Sequence, residues 1–306
     1  MRAQPEQWLD SALRRSPAQR YFERKASQRL AVLAYHGIDD ADRFARHMDH
    51  LRRTARPITL EAALDAFEGR SALPERAALI TFDDGHRSVY DVAMPILGER
   101  GFPAVVFVIA GVIGSERPFW WTEVIDLANR GGTVAGLGDR SPQDLVRTLK
   151  RVPDQRRAEA IEALRRTASA EAAPVAQLTG AELRSLESAG IAIGNHTWSH
   201  PSLPRCSPDV VRREIVDAHE SLRGILGHGP EAFAYPYGDA DGTAAACLRG
   251  HGYRAAFLFD HHLSPTQPRD AFAVSRLRVN STTTLDRFRM ISSGFHPSLH
   301  RLRGGA

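Results

Sequence analysis

Short apolar runs of strand length recur along this chain, each ending in a polar or turn residue and most handing over to a helical segment. "LAVLAYHGI" covers 30–38, and "AALITF" comes before "SVYDVAMPILGERG". "PAVVFVIAG" follows, "IAIGNH" precedes "SPDVVRREIVDAHESLRGILG", and "EAFAYPYG" precedes "GTAAACLRGHG", which leads into "YRAAFLF". Strands alternating with helices imply a parallel sheet covered on both faces. With so many units the economical arrangement is an α/β barrel, closed or nearly so, whose chemistry gathers where strands end. The strand ends here carry Asp83, Asp84, His196 and Tyr237.

The alternation breaks off between Gly114 and Gly190, where "RPFWWTEVIDLANRGG" and the charged "SPQDLVRTLKRVPDQRRAEAIEALRRTAS" read as helix. We therefore expect a main domain over 30–301 with a helical insertion at about 115–180, its last helix N-capped by Thr179. Residues 1–29 read as a helical lead-in with Trp8, Leu9, Leu13 and Tyr21 on its pattern, and 302–306 as a tail. The 306 residues carry a formal charge of +4 and a pI near 9.4, the positive charge being almost all arginine, with lysine only at Lys25 and Lys150. That excess is too small and scattered for a nucleic-acid partner, and the basic ends would give at most a weak association with a membrane surface. No obligate protein partner is evident. Cys206 and Cys247 have no metal or redox spacing and read as packed thiols. The N-terminus has no apolar run of signal-peptide length and no stretch approaches a membrane span, so the expected location is cytoplasmic.

Asp83 and Asp84 close a buried strand side by side. Neighbouring strand residues point to opposite faces, so two adjacent aspartates have two jobs. One would ligate a cation, which lowers its pKa and makes it a poor base, and the other would accept a proton. An ordinary Asp-Gly turn is the plain alternative. "IGNHTWSHPSL" places His196 and His200 four apart; in one helical turn that spacing would set both imidazoles around a single divalent ion. Two histidines and one aspartate leave coordination positions open, as catalytic sites do. In "FAYPYGDAD", Pro236 and Gly238 shape a turn in which the amide of Tyr237 would serve as an oxyanion donor, unless the tyrosine and proline simply end a strand and pack in the core.

"TFDDG", "HTWSH" and "YPYG", in this order and spacing, resemble the first three motifs of the NodB-homology polysaccharide deacetylases, carbohydrate esterase family 4. The resemblance runs from about Leu30 to Val279. It implies a distorted (β/α)7-type TIM-like barrel and metal-dependent hydrolysis of an N-acetyl group on a sugar. It further implies that Asp83 is the base, that Asp84, His196 and His200 hold the metal, usually zinc, and that the Tyr237 amide stabilises the tetrahedral intermediate. Two departures stand out. Ala234 occupies the position where many members carry the arginine that orients the base. Strand alternation puts Arg276 and Arg278 of "RLRVN" on one face, and we assign the orienting role to Arg276. The C-terminal apolar strand that usually carries a histidine acid is missing, and His296 and His300 lie in a polar tail. "LAVLAYHGI" has that character instead, as in the poly-N-acetylglucosamine deacetylase subgroup, which makes His36 the candidate acid. Trp120 and Trp121 could stack on a sugar or pack the insertion. His86, Trp198 and His251 are at most neighbours of the site.

The expected activity is removal of N-acetyl groups from an N-acetylated glycan or amino sugar, with release of acetate. The rival readings are a deformylase or deacetylase of a lipid-linked or small amino sugar, and a silent carbohydrate-binding protein.

Overall fold

The computed structural model describes residues 10–138 and 140–302; Trp8, Leu9 and residues 303–306, on which part of the expected lead-in and tail fell, lie outside the described residues. The chain runs α1 (Pro17–Ala26), β1 (Arg29–Tyr35), α2 (Ala41–Thr54), β2 (Arg56–Pro57), α3 (Leu60–Phe67) and β3 (Ala77–Phe82). A π-helical turn, Val89–Ala93, then leads into α4 (Met94–Gly98) and β4 (Ala104–Val108). The inserted helices α5 (Trp120–Asn129), α6 (Pro142–Leu149) and α7 (Asp154–Thr167) come next. They are followed by α8 (Gly180–Ser188), β5 (Ile191–Asn195), α9 (Pro208–Leu226), β6 (Ala232–Ala234), α10 (Gly242–Gly250) and β7 (Ala255–Phe257). Two short strands, β8 (Ser264–Pro265) and β9 (Leu277–Arg278), precede α11 (Leu285–Ser292) and α12 (Phe295–Leu302).

The strands form one sheet in the order β7-β6-β5-β4-β3-β1-β8, with β9 beside β1 and β2 beside β3. All pairings but β1·β8 are parallel. β9 pairs with β1 through Leu33↔Leu277 and Ala34↔Arg278, while Val274 bridges in parallel to Phe257 of β7. Segment 274–278 therefore links the two ends of the curled sheet and completes the circuit of an α/β barrel.

The strands are buried on both faces, and the side chains sort with period two. Leu33, Tyr35, Ile80, Phe82, Val106 and Val108 pack outward on the helices. Leu30, Val32, Leu79, Val105, Phe107 and Phe257 fill the interior with α3, and Phe107 meets Phe257 across it at 5.5 Å between centroids. Asp83 follows Leu79 and Thr81 on this inward-facing register. The insertion has a core of its own around Val124, Leu127, Leu149, Ile161 and Leu164. Its exit is fixed by a capping box in which Thr179 and Glu182 satisfy each other's backbone amides, as the sequence predicts for Thr179.

Two expectations are corrected. Tyr21 is 61% exposed, and the lead-in docks instead through Phe22, stacked on Phe295, and buried Gln19, bonded to the Arg289 carbonyl. His296 and His300–Leu302 belong to α12 rather than to a tail. His251 is exposed and bonds back to the Cys247 carbonyl, with no part in the cavity described below. Among the described residues no helix is long and apolar enough to cross a membrane.

Candidate metal centre and catalytic cavity

The carboxylate pair separates because the strand ends between its members. Asp83 continues the β3 register, its amide bonded to the Tyr35 carbonyl, whereas Asp84 and Gly85 turn at φ 69° and 75°. That turn brings both neighbouring carboxylates to one cavity of about 420 Å³. His36, Asp83, Asp84, His86, Trp121 and Lys150 line it together with His196, His200, Tyr237, Gly238, Phe259 and Arg278.

Asp84, His196 and His200 are buried, and one ligand atom from each lies within 4.8 Å of the others. Asp84 Oδ1 stands 3.5 Å from His196 Nε2 and 3.5 Å from His200 Nε2 yet has no hydrogen bond of good geometry. A buried carboxylate oxygen without a donor is costly, and an ion among these three atoms would satisfy it. The donor set therefore fits a divalent metal. His196 Nδ1–H donates to the Ala234 carbonyl at 2.7 Å, which leaves Nε2 as the acceptor a metal needs. Burial opposes charge on both imidazoles. It prevails at His200, whose pKa falls to about 3 with help from His196, while the Asp84 and Asp83 carboxylates outweigh it at His196 and raise that pKa.

The expected helical turn does not carry the two histidines. Residues 196–200 form a loop in which Thr197 and His200 have φ of 70° and 59°. His200 precedes Pro201, which disfavours helical backbone there. The Asn195 side chain fixes the loop by accepting from the Thr197 amide at 2.7 Å and donating to Tyr253 Oη. Arg157 of the insertion, itself buried, donates to the His200 carbonyl at 2.7 Å, and Glu214 holds Ser199 through its amide and hydroxyl.

Asp83 is gripped by Arg276, whose Nη1 and Nη2 donate to its two oxygens at 2.6 and 2.7 Å. The guanidinium is fully buried and also donates to the Leu258 carbonyl and Thr81 Oγ1, and its own amide is tied to Asp260. Burial alone would raise the Asp83 pKa, but the Arg276 charge and hydrogen bonds, with His196 behind them, hold it below the ordinary carboxylate value. Ala234 is buried in β6 and reaches the site only through its carbonyl. The cation on Asp83 thus comes from the closing segment between β7 and β1.

His36 follows β1 directly and sits half-buried in the cavity that Asp83 also lines, its ring edge-on to Phe259 at 5.4 Å. Tyr237 lies in a 3-10 turn past the end of β6 rather than on the strand, at φ 62°. Gly238 then runs at φ 80°, and a Cβ there would fall 2.4 Å from the Phe259 amide nitrogen. We expect Gly238→Ala to lose roughly 1–3 kcal/mol of stability and to displace the Tyr237 amide, seen as a lower unfolding midpoint with a fall in kcat.

The tryptophan pair divides: Trp120 is buried in the insertion core beneath Arg157, and Trp121 lines the cavity edge-on to His200 at 5.1 Å. His86 borders the cavity, its Nε2 3.8 Å from Asp84 Oδ2, whereas Trp198 lines the neighbouring pocket with the insertion. The sequence reading passed over Lys150, Arg157, Phe259 and Asp260. Only Lys150 carries a signal, as one of two lysines in an arginine-rich chain.

The structure shares its architecture with IcaB from Ammonifex degensii (TM-score 0.60, 23% identity, covering 88% of this chain and 97% of that one). It is similarly close to the Streptococcus pyogenes deacetylase PplD in complex with acetate (TM-score 0.61, 17% identity, covering 86% and 98%). At such identities the likeness establishes the fold. In sequence the chain is 26% identical over 232 residues to the poly-beta-1,6-N-acetyl-D-glucosamine N-deacetylase of Escherichia coli K12. That match takes in 76% of this chain and 32% of the relative, so the chain spans about a third of that protein's length. The family profile described as polysaccharide deacetylase matches residues 70–256, a stretch that contains both aspartates, both histidines and the Tyr237 turn. With that match over more than half its length, the chain belongs to the polysaccharide deacetylase family.

Proposed function

We propose that this protein is a metal-dependent N-deacetylase of N-acetylated amino sugars, releasing acetate and a free amine. The observation that carries the reading is the pairing, in one cavity, of a carboxylate held ionised by Arg276 with a buried Asp-His-His group that has an unsatisfied oxygen. Asp84, His196 and His200 would hold the ion, for which zinc suits two imidazoles and one carboxylate with open positions. When bound, such an ion supplies Lewis-acid charge stabilisation for an amide carbonyl and for water.

The chain's own groups divide the remaining work. Asp83, ionised and oriented by its two bonds from Arg276, takes a proton from the attacking water as the new C–O bond forms. The Tyr237 N–H donates to the carbonyl oxygen as it gains charge. His36 gives its proton to the sugar nitrogen as the C–N bond breaks, so the amine leaves neutral. Trp121 offers a ring face to the sugar at the cavity mouth. The Arg276 grip on Asp83 supports this reading over a silent binding protein, because it supplies the cation that Ala234 cannot.

The test is acetate release from N-acetylglucosamine oligomers by zinc-loaded protein. Release that His36→Gln lowers about 10²–10³-fold in kcat, with KM little changed, is the expected result for a general acid. Full activity in His36→Gln would remove His36 from that role. No acetate from folded, metal-occupied protein on any N-acetylated sugar would overturn the deacetylase reading.

A further inference from the structure

Two cations on the cavity wall form no salt bridge among the described residues. Lys150 lies in the turn that ends α6, its ammonium 5.3 Å from the centre of the Tyr237 ring and with no ion pair or hydrogen bond. Arg278 donates Nε–H to the Phe259 carbonyl at 2.7 Å and lays its guanidinium 5.0 Å from the centre of the Phe259 ring. Arg278 makes no salt bridge among the described residues and lines both this cavity and the next. Both cations line the same cavity, and the rings beneath them are neighbours, because Gly238, which follows Tyr237, lies against the Phe259 backbone.

The one carboxylate that attracts Lys150 is Asp84, at longer range than a salt bridge and within the Asp-His-His group that would hold the ion. Asp83 is committed to Arg276 by two hydrogen bonds, and Asp84 Oδ1 faces the two imidazoles. Lys150 is exposed, yet it borders the same cavity as the catalytic groups and its ammonium lies over Tyr237. A neutral sugar seated against this wall would strip water from both cations and return only hydroxyl contacts. A carboxylate or phosphate would return charge-assisted hydrogen bonds, the stronger kind. Lysine as a point charge and arginine as a planar fork both suit such an anion.

We infer that the cavity takes an N-acetylated amino sugar carrying an anionic group, a carboxylate or a phosphate, on that sugar or its immediate neighbour, held by Lys150 and Arg278. The inference rests on the deacetylase reading and narrows its substrate class.

The test compares three probes on the zinc-loaded protein: a neutral N-acetylglucosamine oligomer, an oligomer alternating N-acetylglucosamine with glucuronate, and an N-acetylglucosamine 1-phosphate diester. One charged probe should show a KM about tenfold below the neutral one, an advantage that shrinks as salt rises from about 0.05 to about 0.5 M. Which charged probe wins separates the carboxylate source from the phosphate source. Lys150→Met with Arg278→Gln should bring the charged-to-neutral ratio of kcat/KM toward one, and Lys150→Arg should restore part of it. Equal KM values for charged and neutral probes, or a preference that survives the double substitution, would overturn the inference while acetate release leaves the deacetylase reading intact. Should no probe release acetate, calorimetric affinities for the same probes decide: tighter, salt-sensitive binding of a charged probe that the double substitution removes upholds the anion site, and equal affinities sink it.

Discussion

Asp83→Asn is expected to lower kcat by about 10³-fold or more, because asparagine keeps the shape and cannot accept the proton. The same change leaves the Arg276 guanidinium fully buried without its carboxylate, which should cost roughly 3–5 kcal/mol of stability. Adding Arg276→Met to Asp83→Asn should recover much of that stability and none of the turnover, a split that separates a base from a structural ion pair. Arg276→Met alone has the opposite chemistry. Burial is the largest influence on Asp83 and acts to raise its pKa; Arg276 is what outweighs it. Without Arg276 the carboxyl should titrate above its ordinary value, so the acid limb of the rate profile should move to higher pH. In the native chain the depressed Asp83 pKa contributes stability that is complete above the unfolded value near 4 and is lost as pH falls through the folded value. Arg276→Met should erase that acid-side dependence. An unchanged rate profile in this variant would refute the orienting role given to Arg276.

The second large effect concerns the ligands. His196→Ala, His200→Ala and Asp84→Ala should each reduce bound zinc from about one per chain to well below that at micromolar free metal. Turnover should fall with it, and strong chelation should do the same to the native chain. Stability gives an independent readout, because an ion that binds only the folded state raises the unfolding midpoint with concentration. That rise should vanish in the three variants. Metal affinity should also weaken on acidification, since Asp84 holds the His196 pKa above its usual value despite burial and a protonated imidazole cannot ligate. Stoichiometric zinc retained in a folded His196→Ala, His200→Ala double variant would place the metal elsewhere.

How much of this site the sequence carried depends on how locally each part is specified. Asp83, Asp84, His196, His200 and His36 stand at or just past strand ends, and an apolar run followed by polar residues shows such ends directly. The helical turn assigned to His196 and His200 failed because four-residue spacing does not encode a loop. Asn195 and Pro201, both adjacent to the pair, decide that loop by bonding the Thr197 amide and by excluding helical backbone before proline. Trp120 and Trp121 likewise could not be separated in sequence, since only the packing of α5 against α7 says which ring is buried.

The sequence by itself determined an alternating α/β architecture, the strand ends that carry the carboxylates and histidines, and a helical interruption before β5. Tertiary structure alone decided what those groups meet. Arg276 reaches Asp83 across 193 residues because segment 274–278 closes the sheet between β7 and β1. Lys150 reaches the cavity and Arg157 the His200 carbonyl because the insertion folds back over the site. Strand ends follow from side-chain alternation and turn chemistry within a few residues, whereas these partners depend on barrel closure and helix packing, which no local pattern encodes.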